Sequence, residues 1–233
     1  MNKNTLKIAI DGPAASGKST TAREVAKRLN LIYIDSGAMY RAVTLKAIRE
    51  EIPTTNNQQV AKIAQNLEIK FEQHDSQTII FMDNEDVSTQ IRGPEVDDHI
   101  NPVAANPKVR DILVKKQQEL GKEGGVVMDG RDIGTVVFPD ADLKVFMQAS
   151  AEERAKRRYD EFKRSGVPIS FEKVLQEILT RDRADTTRMH GPLKIAKDAF
   201  IIDTTALSIE GQIKKVIALA LKIQEKVILK NTN

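Results

Sequence analysis

The chain has 233 residues, 40% hydrophobic and 30% charged, enough for one substantial core or a core carrying inserted subdomains and too little for two independent domains. Net charge is +3 with no Lys/Arg block, which argues against a nucleic-acid tail, and the lack of cysteine excludes disulfides, thiolate zinc sites and a cysteine nucleophile. No apolar run approaches bilayer-spanning length and the first residues enter a strand pattern at once, so neither signal peptide nor membrane segment is expected and a cytoplasmic protein is.

Leu6, Ile8 and Ile10, with Ala9 between, predict a buried strand over Lys7 to Asp11. It leads into Gly12-Pro13-Ala14-Ala15-Ser16-Gly17-Lys18-Ser19, which fits the phosphate-cradling pattern G-x-x-x-x-G-K-[ST] at every required position. A helix follows over Ser19 to Leu29, with Ala22, Val25, Ala26 and Leu29 at helical spacing. Both flanks matter, because such a loop works by aiming backbone N–H groups and a helix N-terminus at phosphate oxygens. Gly12 and Gly17 let the backbone approach phosphate, Lys18 would reach the β and γ phosphates, and Ser19 would ligate magnesium.

Further strands are predicted at Leu31 to Asp35, Gly125 to Asp129, Leu143 to Gln148 and Phe200 to Asp203, separated by helical segments, which reads as α/β with a parallel sheet. Ligands gather at the carboxyl ends of such strands, and here those ends carry Asp11, Asp35-Ser36, Asp129-Gly130-Arg131-Asp132 and Asp203. Leu67 to Phe71 and Thr78 to Met82 alternate around a polar turn at Gln73 to Gln77, predicting an inserted antiparallel hairpin. A helix ending near Asn101 follows, then one from Pro107 to Gly121, with Gly124-Gly125 before the next strand. Ala151 to Arg188 reads as a charged two-helix flap, broken at Gly166 and Pro168, with Ser170 as an N-cap. Ile209 to Leu229 places Ile213, Val216, Ile217, Ala220 and Leu221 on the core face of a last helix. His74, His99 and His190 lack ligand spacing and read as surface or structural residues.

In Arg181-Asp182-Arg183-Ala184-Asp185-Thr186-Thr187-Arg188, positions 181, 185 and 188 fall at i, i+4 and i+7 and share one helix face, with Arg183 elsewhere. That pattern suits either a solvated face stapled by Arg181 and Asp185 or cations converging on phosphate, and the phosphate loop favours the second. Arg154, Arg157 and Arg158 at the start of the flap suit a closing lid and a surface helix equally. Val126-Val127-Met128-Asp129 has the form of a magnesium-side acidic motif, with Asp129 orienting magnesium-bound water. In the following Gly130-Arg131-Asp132 at least one charge should face the cleft, since an unpaired charge in the core is costly.

Asp35-Ser36-Gly37-Ala38-Met39-Tyr40-Arg41 and Asp129-Gly130-Arg131-Asp132-Ile133-Gly134-Thr135-Val136-Val137-Phe138-Pro139, with the phosphate loop, Pro107-Lys108-Val109-Arg110 and the Arg181 to Arg188 face, resemble the bacterial cytidylate kinase family nearly end to end. The resemblance implies a P-loop nucleoside monophosphate kinase fold, a parallel sheet flanked by helices in a single domain. Its core would span approximately 1–60, 105–150 and 190–230, with a monophosphate-binding insert at approximately 61–104 and a helical lid at approximately 151–189. The implied reaction moves the γ-phosphoryl group of ATP to CMP or dCMP, with Mg2+ as cofactor.

By this resemblance Gly12, Pro13, Ala14, Ala15, Ser16, Gly17, Lys18, Ser19 and Thr20 hold ATP, and Ser19, with Asp129 through water, holds the metal. Ser36, Arg41, Arg131 and Arg188 hold the acceptor phosphate, Arg181 and Asp185 the ribose, and Arg110 and Asp132 the base. Lys18, Arg131, Arg188 and Asp129 are the implied catalytic group. Where the family commonly has a serine near the base, this chain has Asn101, followed by Pro102; its amide donates or accepts like the hydroxyl but is longer. ATP and CMP or dCMP are then the partners of a monomer that binds neither nucleic acid nor membrane. The alternatives are a P-loop kinase with another small acceptor and a non-catalytic nucleotide-binding protein; a switch GTPase would need a late N-K-x-D string, which this chain lacks.

Overall fold

The structure is a computed structural model that describes residues 5–74 and 77–231. In chain order it holds β1 (Lys7–Asp11), α1 (Lys18–Leu29), β2 (Ile32–Asp35), α2 (Ser36–Arg49), α3 (Asn57–Asn66), β3 (Ile69–His74), β4 (Gln77–Met82) and β5 (Glu85–Asp86). A 3-10 turn (Gln90–Arg92), α4 (Pro94–Ala105), α5 (Pro107–Leu120), β6 (Val126–Gly130), a π-helical turn (Ile133–Val137) and β7 (Leu143–Gln148) follow. The chain closes with α6 (Ala151–Arg164), α7 (Phe171–Thr187), β8 (Phe200–Asp203) and α8 (Ile209–Asn231). It divides into two compact units, residues 1–31 with 124–233, and residues 32–123.

In the first unit parallel strands run in the order β6-β1-β7-β8. Ile8, Ala9 and Ile10 of β1 are buried on both faces between β6 and β7, which is why the strand is a continuous apolar run rather than an alternating one. Helix α1 packs on β1 and β6, and α8 packs on α1 and β7. Register sets Ile10 opposite Asp129 and Asp11 opposite Gly130, so the acidic end of β6 comes level with the start of the phosphate loop. The charged segment expected to form a flap is the helix pair α6 and α7, broken near Gly166 and restarted at Ser170, whose hydroxyl accepts from the Lys173 N–H.

In the second unit α2 packs with α3, α4, α5 and the 3-10 turn around a core that includes Met39, Val43, Val60, Ile80, Val96, Val103 and Leu113. Burying side chains of this size contributes roughly 1.5–3 kcal/mol each. Strands β3 and β4 form the expected antiparallel hairpin, longer than expected because Gln73 pairs with Thr78 and His74 with Gln77, and β5, which was not expected, adds a third strand. Residues 75 and 76 of the expected turn lie outside the described residues.

Three expectations are corrected. Helix α4 does not end at Asn101 but runs through Pro102 to Ala105, because Val96, Ile100 and Val103 bury one face across the proline and offset the lost backbone bond. Leu221 is 46% exposed, so the core stripe of α8 is Ile213, Val216 and Ala220 with Ile217 at its margin. Arg188 is the residue that terminates α7 rather than part of its last turn. Among the described residues no helix is long and apolar enough to cross a membrane.

Asp11 links the sheet to the segment that carries Arg131 and Asp132. Its carboxylate oxygens accept from Ile133 N at 2.8 Å and Gly134 N at 2.7 Å, pinning the π-helical turn. Burial pushes this carboxyl up to about 7, against the pull of the two backbone donors and Lys18. A carboxyl that binds its proton more tightly folded than unfolded stabilises fully below about pH 4 and loses that contribution as pH rises through about 7. Asp11→Asn turns an amide N–H toward a backbone N–H and is expected to cost about 1–3 kcal/mol in urea unfolding at low pH. The gap to wild type should narrow between about pH 5 and about pH 7.5; a widening gap would contradict the assignment.

Candidate active site

The phosphate loop is held by contacts that only glycine permits. A Cβ on Gly12 would lie 2.2 Å from the Met147 carbonyl oxygen, and Gly17, left-handed at φ 89°, would drive one to 2.5 Å from Gln212 Oε1. Gly17 precedes α1 and has no side chain to cap it, so the first N–H groups of that helix remain for an anion. Lys18 is buried and its Nζ donates to the Pro13 carbonyl at 3.2 Å. Burial and then Arg131 push the Lys18 ammonium down to about 7, with Asp129 opposing them. The Ser16 hydroxyl is buried in the loop without a hydrogen-bond partner among the described residues.

Ser19 Oγ donates to Asp129 Oδ2 at 2.7 Å, which brings the two expected metal-side residues together. Among the described residues no cluster of three or more His, Cys, Asp or Glu could enclose a metal. A hydroxyl and a carboxylate fit Mg2+, which takes one or two protein oxygens and completes its shell with water and substrate phosphate.

The arginines meet carboxylates in the same unit. Arg131 Nε pairs with Asp185 Oδ2 at 2.6 Å, Arg188 Nη1 lies 3.7 Å from Asp185 Oδ1, and Arg188 Nη2 lies 3.5 Å from Asp132 Oδ1. Arg188 Nε also donates to the Gly191 carbonyl at 2.6 Å. Burial alone would raise the Asp185 carboxyl; Arg131, then Arg181 and Arg188, outweigh it and hold it below its ordinary value. Arg183 is exposed, as the helical spacing implied. The solvated staple of Arg181 on Asp185 is thus set aside: Asp185 is the hub of a largely buried cluster whose field also reaches Lys18.

The second unit gathers its own set. Asp35 caps α2 by accepting from Ala38 N at 3.0 Å and pairs with Arg92 at 3.0 Å, while Ser36 is buried beside it. Arg41 donates to the Ile91 carbonyl and to Asp97. Arg110 is buried with its guanidinium carbon 5.6 Å from the centre of the Tyr40 ring. Asn101 is exposed on α4.

Sequence reasoning did not single out the polar residues that hold the loop from behind. Thr204 Oγ1 donates to the Ser16 carbonyl at 3.0 Å, and Gln212 Oε1 accepts from Thr21 Oγ1 at 3.1 Å; both residues are fully buried. The one available signal for Thr204 was its place directly after a strand end.

Residues 8–222 match the family described as cytidylate kinase. The chain belongs to the cytidylate kinase family. The cytidylate kinase of Bacillus anthracis (strain CDC 684 / NRRL 3495) is 47% identical over 221 residues, 95% of this chain and 98% of that relative. The cytidylate kinase of Bacillus cereus (strain ATCC 10987 / NRS 248) is 47% identical over 214 residues, 92% of this chain and 95% of the other. Among solved structures, a gluconokinase from Sinorhizobium meliloti 1021 aligns with a TM-score of 0.52 at 14% identity, covering 98% of this chain and 99% of that one, a likeness of fold alone.

Thr204→Val keeps the shape of the side chain and leaves the Ser16 carbonyl without its donor. It is expected to cost about 1–3 kcal/mol of stability and to raise the KM for ATP, measured by thermal melts and initial rates. A lowered melting temperature with unchanged KM would show that the contact does not shape the loop.

Proposed function

We propose that this protein transfers the γ-phosphoryl group of ATP to CMP or dCMP, giving ADP and CDP or dCDP. The observation that carries the reading is the phosphate loop and the Arg131–Asp185–Arg188–Asp132 cluster in one unit, close enough for Arg131 and Arg181 to depress the Lys18 ammonium. Phosphoryl transfer needs little covalent help and much positioned positive charge, and this unit supplies it.

In this reading residues Gly12 to Thr20 hold ATP, with Lys18 turning from the Pro13 carbonyl to the donor phosphates. Ser19, with Asp129 acting through water, would hold Mg2+, which would supply positive charge to offset that of the phosphates. Arg131 and Arg188 neutralise the moving group, and Ser36 and Arg41 take the acceptor phosphate. No general base is required, because a monophosphate oxygen is already ionised at neutral pH. Arg181 and Asp185 hold the ribose. The helix pair α6–α7 acts as the lid that keeps water from the donor phosphate, and residues 61–104 as the acceptor-binding insert.

The groups proposed for the base are Arg110 and Asn101 of the second unit and Asp132 of the first. Cytosine offers two acceptors and an amino donor, which an arginine and a carboxylate complement, whereas uracil presents a donor at N3 and an acceptor at O4. A buried group left unpaired costs about 1–3 kcal/mol, so uracil is disfavoured by roughly ten- to a hundredfold. The same reading makes the protein a cytoplasmic monomer of pyrimidine metabolism that needs no nucleic-acid partner.

A coupled ADP-release assay across CMP, dCMP, UMP, AMP and shikimate is expected to rank CMP and dCMP first, with UMP about tenfold or more behind. The reading fails if CMP is not among the best acceptors. Asp129→Asn keeps an acceptor for the Ser19 hydroxyl, so it should fold normally while losing about tenfold or more in turnover and needing more Mg2+. Unchanged turnover and Mg2+ dependence would remove Asp129 from the metal side.

A further inference from the structure

Arg154 is a buried guanidinium whose three nitrogens all make hydrogen bonds. It sits in the first turns of α6 and is 4% exposed. Its Nε donates to the Ala149 carbonyl at 3.0 Å, and its Nη1 and Nη2 grip the Asp182 carboxylate at 3.0 and 2.6 Å. Nη1 also reaches the Ala14 carbonyl of the phosphate loop at 3.3 Å. One side chain therefore ties together the end of β7, the loop that cradles phosphate and the middle of α7.

Two features show what this grip controls. The Ala14–Ala15 peptide is trans, so a carbonyl drawn toward Arg154 turns the Ala15 N–H the opposite way. Ala15 is itself left-handed at φ 58°, and its methyl packs against the cluster of Ala155, Val174 and Ile178 from the two flap helices. On α7, Val174, Ile178 and Asp182 are spaced by four, so the half-buried Asp182 lies one turn on from the buried Val174 and Ile178 on the same face. Arg181 immediately precedes Asp182 on that turn, and Asp185 lies three residues after Asp182. Holding Asp182 thus sets the rotation and height of the helix that presents them.

A buried ion pair is a weak source of stability, since apolar residues of similar volume replace such pairs at little or no cost. What an arginine fork adds is direction, because its donors lie in one plane at set angles. We propose that Arg154, through Asp182 and the Ala14 carbonyl, is a positioning residue for phosphoryl transfer, locking the phosphate loop and the Arg181–Asp185 face of α7 into one register. The proposal rests on the reading of the loop as the ATP site and does not depend on which acceptor is used.

The test compares wild type with Arg154→Lys and with the double variant Arg154→Met/Asp182→Leu, by thermal melts, by kcat and KM for both substrates, and by calorimetric ATP binding without acceptor. The double variant is expected to melt within a few degrees of wild type or above it, with kcat lowered about tenfold or more, KM for CMP changed less than about threefold, and ATP affinity weakened about threefold or more. Arg154→Lys keeps the charge but not the fork, and should lose about threefold or more in kcat with its melting temperature kept. A folded double variant with kcat and ATP affinity within about twofold of wild type would overturn the proposal. If the double variant does not fold, Arg154→Lys decides by the same criterion. A wild type inactive on CMP would sink the acceptor assignment and leave the calorimetric arm readable.

Discussion

A guanidinium group shut away from water needs an anion beside it, and much of this structure is arranged around that requirement. Arg131 and Arg188 sit with Asp185 and Asp132, Arg41 with Asp97, and Arg154 with Asp182, each in largely buried surroundings. Leaving such a charge unpaired would cost several kcal/mol, a large share of what a domain of this size has to lose. The carboxylates keep the cations in place before any nucleotide arrives. Three of these arginines are the groups proposed to hold phosphate, so in that reading binding would exchange one anionic partner for another rather than create a charged site from nothing. Arg154 differs in having no proposed contact with phosphate; it holds two backbone carbonyls and a helix carboxylate.

The sheet explains why these groups meet the loop. Ile8 to Ile10 of β1 are apolar on both faces because strands lie on either side, and polarity begins where the strand ends at Asp11. The same register brings Asp129 and Gly130 to that level, and Asp11 then holds the turn after them through two backbone N–H groups. The residues that follow, Arg131 and Asp132, are thereby anchored to the strand that feeds the phosphate loop. From the other side, β8 delivers Thr204 to the Ser16 carbonyl. The loop is supported from several directions, which suits a site that must present fixed donors to a moving charge.

Much of this was legible in the residues because it is set locally. The phosphate loop could be read because each required position answers a backbone demand, and the Met147 carbonyl against Gly12 shows that demand in three dimensions. Strands at Lys7–Asp11, Leu143–Gln148 and Phe200–Asp203 begin and end where their apolar runs do. The expected end of α4, near Asn101, falls too early because packing through Ile100 and Val103 carries the helix past Pro102 and that packing has no local sequence signal. Arg154 was opaque for another reason: an arginine at a helix start looks the same whether solvated or buried until Asp182, in another helix, is located. The roles of Asp11 and Thr204 were hidden likewise, because their partners are main-chain atoms that have no sequence signature.

The central claim is that Lys18, Arg131 and Arg188 converge on one transferring phosphoryl group. A crystal structure with ADP, aluminium fluoride and CMP tests it most directly. The planar fluoride should lie within hydrogen-bond distance of Lys18 Nζ and of both guanidinium groups, with Arg131 and Arg188 turned at least partly from Asp185 and Asp132 toward it. Finding either arginine still committed to its carboxylate and remote from the fluoride would contradict it.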